Sequence, residues 1–240
     1  MIVLRSPDEI YQAQGRIENG TFHGRWHFSF DTYQDPAFVQ FGTLRVFNDD
    51  TLSPGAVWPL HPHREIEVVT YCARGEFRHA DEHGAGGVLQ QGWVQHTTVG
   101  KGMFHSEINN RPDQPMRFIQ MWFLPEQRGL APAVQQKRVE REERTDRPLL
   151  LVSNSGDEAL PIRSEAQVYA CYLRAGRGTR FSPRDRWGVY LYLLEGGPVH
   201  VNAQRVDALG AAMVTEEREV DMSAQSDAEL LLVHVRHLPG

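Results

Sequence analysis

Apolar residues along this chain come in short β-branched and aromatic runs, closed by Gly, Pro, Asn or Asp clusters. In the first half these runs are "RWHFSF" (25–30), "GTLRVFN" (42–48), "EVVTYCARG" (67–75), "GWVQHTTVG" (92–100) and "PMRFIQMWFLP" (115–125). In the second half they are "AQVYACYLRAG" (166–176), "WGVYLYLLEGG" (187–197), "GPVHVNAQ" (197–204) and "AELLLVHVRHL" (228–238). Many short strands with dense turn signals predict an all-β sandwich or barrel. One stretch has helical character, "PAVQQKRVEREERTDR" (132–147), with Pro125, Pro132 and Pro148 around it. Charged on most faces, it reads as a linker or an exposed connecting segment.

The chain also resembles itself. A shift of 121 positions lays 61–79 over 182–200, matching Pro62 with Pro183, Val68 with Val189, Tyr71 with Tyr192 and Gly75 with Gly196. Two copies of one β-unit explain this match. His79 meets His200, but His61 and His63 are not repeated: Ser182 stands at the place of His61 and Arg184 at that of His63. Any site built on them belongs to the first copy alone.

Within "HPHREIEVVTY" (61–71), His61, His63, Glu65 and Glu67 recur at spacing two. Side chains two apart on a strand share a face, so a continuous strand would point all four the same way. The stretch "GKGMFHSEINN" (100–110) adds His105 and Glu107, again two apart, after a turn eased by Gly100 and Gly102. His61, His63, His105 and Glu107 together offer three imidazoles and a carboxylate. That mixture suits a borderline divalent ion. On an octahedral metal, four such ligands leave two positions open for substrate and O₂.

Composition narrows the setting. With 40% hydrophobic residues over 240, the chain can bury one large or two small cores. A net charge of -6 and the lack of a basic stripe argue against direct nucleic-acid or anionic-membrane binding. The start lacks a secretory apolar core, and no apolar run has bilayer length. Cys72 and Cys171 stand far apart in no metal or redox spacing, which fits a reducing, cytoplasmic setting.

At these motifs the chain resembles a known family. Gly55, His61, His63, Glu67 and Gly75 read G-x5-H-x-H-x3-E-x7-G, one residue from the first cupin motif; Gly102, His105 and Asn109 match the end of the second. The fuller strings "HFSF", "GTLRVFNDD", "HPHREIEVVTY" and "GKGMFHSEINN" are similar to the pirin family, a branch of the bicupins. The resemblance implies two tandem jelly-roll-like cupin barrels, the second smaller. It divides the chain into an N-terminal metal-binding barrel (1–130), a linker (131–148) and a degenerate C-terminal barrel (149–240). It implies one divalent metal per chain, iron(II) first, with Mn, Co, Ni, Cu or Zn as alternatives. The implied ligands are His61, His63, His105 and Glu107, and Glu107 is the residue placed to act as base.

Two functions follow from that resemblance. One is a dioxygenase of the quercetin 2,3-dioxygenase type, acting on flavonol-like or other enolic compounds with O₂. The other is a non-catalytic, metal- or redox-dependent regulator that binds a protein partner. Departures from the family pattern at Glu65, often Gly, and at "HADEHG" (79–84) bear on substrate preference.

The remaining polar residues have plainer readings. Glu67 either supports the ligands from behind or is structural, and Glu65 is a rim residue or solvated charge. His79 and His83 are ordinary surface or hydrogen-bonded histidines, and His96 is evenly balanced between pocket and structure. His200, His234 and His237 lack a ligand-like carboxylate partner. The aromatics of 26–30 and 118–123 read as core, and "KRVEREER" (137–144) as a solvated face.

Overall fold

A computed structural model describes residues 1–82, 84, 86–156 and 158–237; His83 lies outside the described residues. The first strands are β1 (Ile2–Arg5), β2 (Tyr11–Ile17), β3 (Gly20–Trp26), β4 (Leu44–Leu52), β5 (Val57–His63) and β6 (Glu67–Arg74). Next come β7 (Glu76–Asp81), β8 (Gly86–Gln90), β9 (Val94–Thr98), β10 (Met103–Asn109), β11 (Met116–Phe123) and β12 (Ala133–Lys137). The second half carries β13 (Leu149–Ser153), β14 (Leu160–Pro161), β15 (Ala166–Leu173), β16 (Gly178–Phe181) and β17 (Trp187–Gly196). It closes with β18 (Val199–Val201), β19 (Gln204–Val206), β20 (Ala211–Val214), β21 (Val220–Ala224) and β22 (Ala228–Arg236).

Each half pairs a seven-stranded sheet with a four-stranded one. The first half runs β12-β9-β6-β11-β4-β3-β2 and β5-β10-β7-β8; the second runs β1-β20-β17-β22-β15-β13-β14 and β16-β21-β18-β19. The orders superpose element by element, β6 on β17, β11 on β22 and β10 on β21, as two copies of one unit require. The second copy is the smaller one. Its four-stranded sheet has strands of three to five residues, against five to seven in the first. The N-terminal strand crosses over, since β1 completes the second sheet beside β20.

Period-two alternation divides β6 and β11 between two cores. Val69 and Tyr71, with Ile119 and Met121, pack against Val168, Tyr190, Tyr192 and Leu231, so one core joins the halves. The opposite faces point into the first half, where Cys72, Met116 and Phe118 meet Phe22, Trp26 and Phe77. The second half's interior is lined by Phe181, Leu191, Leu193, Met222 and Leu230. Between the halves, Arg117 grips Asp49 through two bonds of 2.7 and 2.6 Å, and the Tyr192 hydroxyl donates to the same carboxylate at 2.5 Å.

The 132–147 segment departs from its sequence reading. Ala133–Lys137 is a strand on the edge of β9, and only Arg141–Arg144 is helical, as one 3₁₀ turn. An unpaired sheet edge outweighs the helix propensity of Gln, Arg and Glu. Nor is 137–144 wholly solvated, because Val139 and Arg144 are buried and Arg144 meets Glu229 at 2.9 Å. The run 25–30 leaves the sheet after Trp26. Phe28 joins the core between the halves, while Phe30 stays half-buried. No helix among the described residues is long and apolar enough to cross a membrane.

Candidate metal centre

Strand β5 ends at His63, and the face read from sequence ends with it. Glu65 sits in a turn at φ +54, accepting the Gly129 N–H at 3.1 Å, and Glu67 opens β6 in the other sheet. The four-residue polar face is therefore divided by a turn. Glu67 shares its side of β6 with Val69 and Tyr71 and points toward the second half. There it accepts from His96 at 2.7 Å, Thr98 at 3.1 Å and the Arg163 N–H at 3.1 Å. His96 is thus a structural partner of Glu67, away from the histidine cluster.

The two histidine strands are neighbours. His63 lies opposite Met103 and His61 opposite His105, with the register slipping before Glu107 meets Trp58. The slip leaves one extra residue on β5, a bulge that re-aims its side chains. It also sets the Pro59 carbonyl 2.8 Å from His61 Nδ1. Gly100 shapes the turn into β10: at φ +52, a Cβ there would stand 2.0 Å from the Leu130 carbonyl oxygen. Only glycine fits such an approach.

The structure brings His61, His63 and His105 together, with one ligand atom from each lying within 4.8 Å of the others. Glu107 is not in that group; its buried carboxylate accepts from Gln120 Nε2. Tautomers follow from the bonding partners. His61 Nδ1–H donates to Pro59, which turns its Nε2 lone pair inward. His105 Nδ1 lies 2.9 Å from His79 Nε2, leaving the other His105 nitrogen to face His61 Nε2 at 3.1 Å. Among the described residues His63 Nε2 is buried with no hydrogen-bond partner. Two ring nitrogens 3.1 Å apart beside an orphaned buried nitrogen are an arrangement that a cation can satisfy, and the donor set fits a divalent metal.

Electrostatics favour the ligating form. Burial, helped by neighbouring His61, pushes His63 down to about 4 and His105 to about 2. Neutral imidazole is the species that binds a metal. Burial also raises the Glu107 carboxyl, against the pull of His61 and the Gln120 bond.

Sequence reasoning missed three neighbours. His79, read as an ordinary histidine, is 2% exposed and bonded to His105. A partner on the far ring nitrogen fixes a ligand's tautomer and angle. Gln120 holds Glu107, and the Trp122 ring meets His63 edge-on at 4.8 Å. A lone glutamine in "RFIQMWF" was a usable signal for the second. Nothing in sequence sets the register that places His79 across from Glu107. In the second half, His234 has both ring nitrogens engaged, by Gln167 at 3.0 Å and the Arg184 N–H at 3.1 Å.

Comparison with known proteins covers both halves. The Pirin family model matches residues 10–123, and the model of the quercetinase C-terminal cupin domain matches 150–235. A pirin-like protein of Caulobacter vibrioides is 36% identical over 227 residues, spanning 93% of this chain and 96% of its own. Quercetin 2,3-dioxygenase of Escherichia coli K12 is 29% identical over 97% of each chain. The bacterial pirin YhhW of Escherichia coli, solved in complex with nickel(II), superposes with a TM-score of 0.90 at 27% identity over 99% of this chain and 100% of that one. Paired seven- and four-stranded sheets, a histidine cluster in the first half and relatives aligned nearly end to end agree: the chain belongs to the pirin family.

Proposed function

We propose that this chain is a metal-dependent dioxygenase of the quercetin 2,3-dioxygenase type, opening flavonol-like or other enolic rings with O₂. The observation that carries it is the convergence of three imidazoles beside a buried carboxylate two residues along β10. The name of the Escherichia coli relative supports the same reading. His61, His63 and His105 would hold the ion, with Glu107 as fourth ligand. Iron(II) is the favoured metal, and the donor set accommodates Mn, Co, Ni, Cu or Zn as well. A bound divalent ion supplies Lewis acidity toward an enolic or catecholic hydroxyl and a path for electrons to O₂.

The protein's own groups do the rest. Glu107, raised by burial, takes the hydroxyl proton of the substrate. His79 holds His105 at its angle. Trp122, with Phe30 edge-on at 5.2 Å, forms an aromatic wall beside His63 that orients a flat ring and excludes water.

The test is anaerobic iron loading followed by oxygen uptake against a panel of flavonols and enolic catechols. Uptake matched to ring cleavage is the expected result. A loaded protein that consumes no oxygen with any of them refutes the enzyme reading and leaves a protein-binding regulator in its place.

A further inference from the structure

Strand β11 carries one uncharged polar side chain on its inward face. Gln120 lies opposite Asn48 of β4 and Thr70 of β6, and all three are buried. Its amide has two partners. Trp122 Nε1 donates to Gln120 Oε1 at 2.7 Å, and Gln120 Nε2 donates to Glu107 Oε1. An indole N–H can only donate, so the carbonyl end of the amide must face Trp122. The NH₂ end is thereby committed to Glu107. The indole is itself wedged, between His63 at 4.8 Å and Phe30 at 5.2 Å. One ring thus touches a histidine of the cluster and sets the amide that grips the carboxylate.

We propose that Gln120, its direction set by Trp122, is the positioning residue of Glu107. By occupying Oε1 it fixes the carboxylate plane and leaves Oε2 as the oxygen that acts. The kinetic arm of the test rests on the dioxygenase reading; the spectroscopic arm does not.

A double-mutant cycle decides it, using Gln120→Met, Trp122→Phe and the pair together. Phenylalanine keeps a ring against His63 and Phe30 but has no donor, so the amide is free to turn its carbonyl toward Glu107. Each variant is loaded with cobalt(II) for metal content and visible absorption, and with iron(II) for kcat and KM. All three should keep one cobalt per chain, because the histidines remain. Gln120→Met should shift the cobalt bands and lower kcat with quercetin by about 10²-fold, a typical cost of a misplaced group. KM should stay within about threefold. Trp122→Phe should shift the bands the same way with a smaller kcat loss. The double variant should match Gln120→Met, because Trp122 acts through the amide.

Independent, multiplying losses in the double variant overturn the proposal. So does a wild-type cobalt spectrum in Gln120→Met. Should Gln120→Met not fold, Trp122→Phe decides alone, and an unchanged spectrum there overturns the proposal. Should the wild type turn over no enolic substrate, the dioxygenase reading falls while the cobalt spectra still judge Gln120.

Discussion

The Nε2 atoms of His61 and His105 face each other at 3.1 Å, while Pro59 and His79 occupy the Nδ1 sides of the two rings. Two ring nitrogens that close can present themselves to one ion, so each ring depends on the other for its part in binding. His61→Ala or His105→Ala should therefore lose most bound metal. The β fold should survive, because the cores around Phe77 and Phe118 and between the halves lie elsewhere. Elemental analysis beside far-ultraviolet circular dichroism checks both halves of the expectation. Full occupancy in either variant would remove that histidine from the site.

One metal per chain is the matching stoichiometry. Among the described residues the second half offers no counterpart, since Ser182 and Arg184 replace the histidines and His234 spends both nitrogens on protein partners. Chelation should lower the melting temperature in a single transition step. At an ion concentration of 100 Kd, binding contributes about 2.7 kcal/mol. A titration saturating at two ions per chain contradicts this.

Much of this was legible in the chain itself. His61, His63 and His105, which the fold brings together, announce themselves because strand periodicity turns a spacing of two into a shared face. The repeat is legible for a similar reason: Tyr71 and Tyr192 both face the core between the halves, so both copies keep them. Other features depend on which strands meet. Ala133–Lys137 looks helical until the free edge of β9 is available to it. Glu65 seemed to continue a polar face because nothing local shows that β5 stops at His63. His79 and Gln120 gain their roles only across strand pairs, β7 with β10 and β11 with the interior.

Glu65 holds φ +54, a left-handed conformation that costs a residue with a Cβ roughly 1–2 kcal/mol. Glu65→Gly relieves that cost and loses the carboxylate bond to the Gly129 N–H. The two effects oppose, so stability should change by less than about 1 kcal/mol. Metal content should equal that of the wild type. Loss of metal would give Glu65 a part in the site that its geometry does not indicate.

Acid should destabilise the metal-free protein over a defined window. Burial holds His234 and His79 at about 4, below the usual 6.5. Folded, they stay neutral between those values; unfolded, they take up protons. Stability is therefore fully present above pH 6.5, falls as pH drops toward 4, and levels below it. His234→Gln should weaken the protein at pH 7.5 by losing its ring bonds. It should also flatten the slope between pH 6.5 and 4. Denaturant midpoints at pH 7.5, 6 and 5 measure both, and an unchanged slope would show that His234 does not titrate on unfolding.

Glu107→Gln separates holding the metal from acting on substrate. Gln120 presents an N–H to Oε1, so the new amide must turn its carbonyl to that donor. Its NH₂ then takes the place of Oε2, and that end has no lone pair for a metal or a proton. Three histidines can still retain an ion, so occupancy should fall less than in His61→Ala. Turnover should fall much further, because general-base catalysis contributes roughly 10²–10⁴-fold. The comparison is kcat per bound metal with quercetin under air, occupancy being measured on the same sample. A per-metal kcat equal to wild type would make Glu107 a ligand only and move the proton to another acceptor.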